Sequence, residues 1–141
     1  IPVASRPVML GGKRLLDGGV SDPIPVKWML SRGYEKNVVV LTRDVKYRKK
    51  ANPKMQLFLK AVLHKYPAFL KDLEERHIHY NETLEELASL EKEGRIHIIR
   101  PSSPIQAAMI ERDESNLERI YQTGRADMKK DLEKLKAYLD S

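Results

Sequence analysis

Val38-Val39-Val40-Leu41-Thr42 constrains the fold more than any other stretch of this chain. An uninterrupted apolar, β-branched run of this length reads as a strand covered on both faces, as found inside a parallel sheet. A second such run lies in Arg95 to Arg100, with Ile96, Ile98 and Ile99, and is closed by Pro101. Helical patterns separate and follow these two runs, so the expected class is α/β with a largely parallel sheet. Two parallel strands alone leave both edges unpaired and need cover on both faces. The expectation is therefore either more strands in an upstream part of a longer polypeptide or pairing with another chain. The opening Ile1, with no signal-peptide pattern behind it, fits the first option.

The other elements follow from local chemistry. Val8-Met9-Leu10, Gly11-Gly12 and Lys13 to Leu16 read as a hairpin around a two-glycine turn. Pro25 opens a short helix that stops at Gly33. Met55 to Lys65 carries a helical apolar stripe, Pro67 marks a break, and Ala68 to Arg76 continues as helix. Glu82 to Glu93 reads as a separate helix with Asn81 as its cap and Gly94 as its stop. From Glu114 to Leu139, Leu117, Ile120, Tyr121, Gly124, Met128, Leu132, Leu135 and Leu139 recur at three- and four-residue steps. This predicts an amphipathic helix packing that stripe inward.

Charge and composition narrow the partners. The net charge is +6, from 26 basic and 20 acidic residues, and nearly all of the excess lies in one stretch. Arg43, Lys46, Arg48, Lys49, Lys50 and Lys54 have only Asp44 as a local acid. Such a stretch is either a solvated loop or an attractor of phosphate and anionic lipid headgroups. Tyr47 is its one aromatic residue and no nucleic-acid motif accompanies it, so no nucleic-acid partner is expected. Cysteine is absent, which excludes disulfides, thiolate metal sites and a cysteine nucleophile, and suits a reducing cytoplasmic setting. No apolar run reaches the ~18 residues of a membrane span, so contact with a membrane would be peripheral.

The residue best placed for chemistry is Asp17. It ends the second hairpin strand and is followed by Gly18-Gly19. Glycines there allow a sharp turn and leave room beside a carboxylate, which can accept a proton from a hydroxyl held against it. An Asp-Gly-Gly turn is also common for purely local reasons. His77 and His79, at i and i+2, would share one face of an extended segment, but they have no third ligand nearby. No metal site is expected there, and His64 and His97 read as structural. Ser21, close to Asp17, reads as a turn residue, and Asp22 before Pro23 as a cap or turn acceptor.

The longer block Leu15-Leu16-Asp17-Gly18-Gly19-Val20-Ser21-Asp22-Pro23-Ile24-Pro25-Val26 resembles the second active-site block of the patatin-like phospholipase and serine esterase family. Gly11-Gly12-Lys13 and Val38 to Arg43 resemble the turn and the strand that flank that block. Arg95 to Pro101 and Tyr121-Gln122-Thr123-Gly124-Arg125 resemble later parts of the family's bacterial branch. The resemblance implies that residues 1–141 are the C-terminal part of a patatin-like catalytic domain, a partial fold of mainly parallel strands with flanking helices and an N-terminal hairpin. It implies hydrolysis of lipid or other acyl esters by a serine–aspartate dyad, without metal or organic cofactor. Asp17 would act as base for a serine in a G-x-S-x-G turn. That motif and the family's glycine-rich oxyanion loop do not occur here, so the serine is expected from the N-terminal part of the same domain and the segment alone is expected to be inactive. The competing readings are a non-catalytic basic module binding nucleic acid or an anionic surface, and a patatin-like protein that has lost its activity.

Overall fold

The structure, a computed structural model, describes residues 7–107 and 111–141. It is a mixed α/β chain with two small sheets and four α-helices among the described residues. It divides into two compact units. One joins the described residues up to Pro25 with Lys49–Thr83, and the other joins Val26–Arg48 with Leu84–Ser141.

In the first unit, β1 (Val8–Leu10) and β2 (Lys13–Leu15) pair antiparallel, with Val8 opposite Leu15 and Leu10 opposite Lys13. Gly11 and Gly12 turn the hairpin with φ of 55° and 74°. Two successive positive φ angles are what a two-residue turn matched to strand twist requires, and glycine adopts them without steric cost. α2 (Pro53–Leu63) starts at Asn52, whose side chain accepts from the Met55 N–H at 3.1 Å, with proline in the first turn where its missing N–H costs nothing. Leu59 of α2 and Val20 are the buried apolar residues of this unit.

The predicted break near residues 77–81 does not occur. α3 runs without interruption over Pro67–Lys92, from the first unit into the second. Asn81 therefore caps nothing. Its side chain instead clasps the chain at Lys49, accepting from the N–H at 2.8 Å and donating to the carbonyl at 3.0 Å. Continuity is supported by His79, which meets Glu75 and Glu82 on adjacent turns, and by the Thr83 hydroxyl, which donates to the His79 carbonyl.

In the second unit, β3 (Asn37–Val40) and β4 (Ile96–Ile99) pair parallel, with Asn37 beside Ile96 and Val40 beside Ile99. α3 ends at Gly94, whose φ of 72° lets the Arg95 N–H return to the Leu90 carbonyl. The core consists of Val26, Leu41, Leu87, Leu90, Ile96 and Ile98, with Leu87 fully buried. α1 (Val26–Ser31) packs against β3, and α4 (Glu114–Asp140) packs against β4. α4 starts at Asp113, whose carboxylate accepts from the Ser115 and Asn116 N–H groups. The Ser115 hydroxyl first, and then these backbone donors, hold it below the usual carboxylate range.

Two sequence expectations fail in this unit. β3 is not covered on both faces: Val38 and Val40 are 41% and 69% exposed, because α4 packs over β4 rather than over β3. The stripe of α4 is only partly turned inward. None of its residues is fully buried, and Leu117, Tyr121, Leu132 and Leu139 are exposed.

Candidate functional site

Asp17 lies just past the end of β2 and caps a single 3-10 turn, Gly18–Val20. Its Oδ1 accepts the Gly19 N–H at 2.9 Å, and its carbonyl accepts the Val20 N–H at 3.2 Å. The turn closes on Gly18, whose carbonyl accepts the Ser21 and Asp22 N–H groups and the Ser21 hydroxyl. Ser21 is thus a turn residue, as its sequence context predicts. Buried Val20 anchors the far side of the turn while the Asp17 side chain stays exposed.

The two glycines differ in what they make room for. A Cβ on Gly18 would meet open space, but one on Gly19 would lie 3.3 Å from Asp17 Oδ1. Gly19 is small because the carboxylate it binds is folded against it. Arg76 of α3 also holds this residue, donating from Nε to the Gly19 carbonyl at 2.9 Å. Arg76 carries no chemical signal in the sequence, and only the folded chain brings it to residue 19. The carboxylate therefore has a defined orientation, set by one backbone donor and a clamped turn. Among the described residues no serine or threonine hydroxyl donates to it, and a local helix cap would have the same hydrogen bonds.

The histidines do not form a second site. His77 and His79 lie on a helix, where i and i+2 point to different faces, so the shared face expected of an extended segment is lost. His77 Nδ1 faces the Glu74 carbonyl, and His79 lies between Glu75 and Glu82. His97 Nε2 donates to Asp131 Oδ2 at 2.5 Å, and its ring stacks on Tyr138. Among the described residues, no group of three or more such side chains is arranged to hold a metal ion. None of their helices is long and apolar enough to cross a membrane.

The basic stretch starts where β3 ends. In the second unit Arg43 lies over the Tyr47 ring, Asp44 accepts the Lys46 N–H, and Arg48 donates to the Val45 and Tyr47 carbonyls. Among the described residues no carboxylate pairs with Arg43, Lys46 or Arg48.

A cleft of about 320 Å³ lies beside the same strand end. Val40 and Ile99 at the ends of β3 and β4, Ile105 beyond β4, and Ile120, Gly124 and Met128 of α4 form its apolar wall. Its position beyond the carboxyl ends of parallel strands is the place where α/β sheets bind ligands, and the sequence offers no motif for it.

Residues 66–140 match the family model described as Domain of unknown function (DUF6363). The match covers more than half of the chain, which belongs to that family. The matched span holds α3, β4 and α4 and does not reach the Asp17 block. No curated protein and no solved structure matches the chain.

Proposed function

We propose that this member of the DUF6363 family belongs to an ester hydrolase, in which Asp17 is the base of a serine–aspartate dyad acting on lipid or other acyl esters. The observation that supports this reading most is the local geometry of Asp17. It is an exposed carboxylate at a strand exit, oriented by the Gly19 N–H at 2.9 Å, with Gly19 leaving the space it occupies. Together with the resemblance of residues 15–26 to a patatin-like active-site block, this gives a group able to accept a proton from a hydroxyl brought against it. The serine and the oxyanion donors would come from a preceding part of the same domain. No step requires a metal or an organic cofactor.

The test uses the whole open reading frame. A fluorophosphonate probe should label one serine in a G-x-S-x-G turn, and the protein should hydrolyse a p-nitrophenyl acyl ester. Asp17→Asn should remove hydrolysis while leaving the far-UV circular dichroism unchanged. Full activity in Asp17→Asn would eliminate Asp17 as the base, and failure of any serine to label would eliminate the hydrolase.

Arg43, Lys46 and Arg48, beyond the end of β3 in the second unit, support peripheral contact with an anionic lipid surface. Neutralising Arg43, Lys46 and Arg48 should weaken salt-dependent binding to phosphatidylserine vesicles. Unchanged binding across ionic strengths would exclude this contact.

A further inference from the structure

We infer that the outward stripe of α4 is an interface at which two copies of this chain pair their α4 helices antiparallel. The inference goes beyond the hydrolytic reading and stands whether or not Asp17 is catalytic.

α4 carries more apolar surface than its contact with β4 uses. Ile120, Asp127, Asp131 and Tyr138 are half-buried and recur at steps of seven, four and seven, which marks the side turned inward. A second row, Leu117, Tyr121, Gly124, Met128, Leu132 and Leu139, lies about a quarter-turn further round the helix. Its large side chains stay in water: Leu117, Tyr121, Leu132 and Leu139 are 46%, 58%, 39% and 49% exposed. A contiguous apolar row of this kind on a surface helix marks a place where another surface docks.

Charge decides which surface that is. Glu114, Glu118, Lys129 and Lys136 form an exposed row along the outer border of the stripe, acidic toward the start of α4 and basic toward its end. Among the described residues no basic side chain pairs with Glu114 or Glu118, and no acid pairs with Lys129. Lys136 meets only Glu133, where both are exposed.

Two such helices laid antiparallel across a twofold axis near Gly124 bring Glu118 of one copy beside Lys129 of the other. The same register sets Glu114 beside Lys136, Leu117 against Leu132 and Tyr121 against Met128, and each contact occurs twice. A parallel pair would instead place Glu118 against Glu118 and Lys129 against Lys129, which repel. Arg125, near the axis, gains no acid and lies over its own Tyr121 ring, 5.7 Å from the centroid. A border whose two halves complement each other under a twofold rotation is matched by a second copy of itself. The contact is one helix pair, so the dissociation constant should be on the order of micromolar.

The test is sedimentation velocity of the protein from the whole open reading frame over a concentration series. A monomer–dimer equilibrium is expected. Tyr121→Glu, at an exposed side chain, should weaken it at least about tenfold with unchanged far-UV circular dichroism. Glu118→Lys alone and Lys129→Glu alone should each weaken it by about three- to tenfold, and the two together should restore it, since the attraction is rebuilt with its signs exchanged. Residues 1–141 contain no cysteine. Gly124→Cys should therefore add an oxidative covalent dimer that the unsubstituted protein does not give. Leu117→Cys should not, since its counterpart lies roughly 22 Å away along the helix axis. A protein monomeric up to about 1 mM, its stripe covered by the rest of the same polypeptide, would overturn the inference. So would a dimer indifferent to Tyr121→Glu, charge reversals that the double change fails to rescue, or a cross-link through Leu117→Cys, which belongs to a parallel pair.

Discussion

His97 and Asp131 join β4 to α4 through a single 2.5 Å hydrogen bond, with side chains only 14% and 24% exposed. The His97 ring also stacks on Tyr138, whose hydroxyl accepts from the Asn37 N–H and donates to the Arg95 carbonyl. α4 has no fully buried residue, so this polar cluster carries a larger share of its docking than its size suggests. Asp131→Ala should cost about 1–3 kcal/mol, the usual penalty for stranding a buried partner. A double-mutant cycle with His97→Ala in thermal unfolding measures the coupling, and additive effects of the two changes would refute it.

Leu87 is the best-buried side chain of the second unit. Leu87→Ala removes apolar contact and leaves a cavity in a small core. Urea unfolding should show a loss of about 2–5 kcal/mol, and a loss under about 1 kcal/mol would mean that α3 does not anchor this core.

Gly18 and Gly19 should respond differently to the same added methyl. Gly18→Ala meets open space, while Gly19→Ala places its Cβ against Asp17 Oδ1. In the whole protein, ester hydrolysis should fall by at least tenfold in Gly19→Ala and by less than about threefold in Gly18→Ala, since small misplacements of a reacting group are costly. Equal activity in the two variants would remove the positioning role of Gly19.

Asp127 offers a pH signature. Hydrogen bonds from the Ser102 N–H and hydroxyl hold its carboxyl below the usual carboxylate range. A depressed folded value means that the ionised group stabilises the fold above its unfolded pKa, and that this contribution disappears as pH falls through the folded value. The melting temperatures of the protein and of Asp127→Ala should therefore differ at pH 7 and converge as pH drops below about 4. A gap that persisted unchanged into strong acid would rule out the linkage.

Gly124→Ala should raise stability by roughly 0.5–1 kcal/mol, since it sits inside α4 with space for a Cβ and no positive φ. A lower melting temperature would show that the helix backbone is closer to its neighbours than the structure places it.

The α/β class, the hairpin and α4 were legible in the sequence for physical reasons. Two adjacent glycines between short apolar runs admit few conformations other than a tight turn, and a three-four step sustained from Leu117 to Leu139 fits only a helix. The continuity of α3 was not legible. His77 to Asn81 alternates β-favouring Ile78 and Tyr80 with polar residues and ends on a residue that commonly caps helices. In the helix His79 lies between Glu75 and Glu82 on adjacent turns, while Asn81 is drawn off to Lys49. Asp17 was visible as a strand-end carboxylate, but the Arg76 clamp was not, since 57 residues separate Arg76 from Gly19. The cleft was invisible for a related reason. Its wall is assembled from three separated segments, whose patterns announce two strands and a helix but no binding site.

The uncovered side of β3 has a consequence for handling the chain. β3 pairs with no strand but β4 among the described residues, so its other edge is open to a further strand beside exposed Val38 and Val40, with the Asn37 N–H alone taken up by the Tyr138 hydroxyl. Such an edge is a template for strand addition and for aggregation. Arg43, Lys46 and Arg48, immediately downstream, then act as gatekeepers: like charges brought together by edge-to-edge stacking repel one another. High salt, by screening that repulsion, should bring the chain out of solution at concentrations where low salt keeps it dispersed.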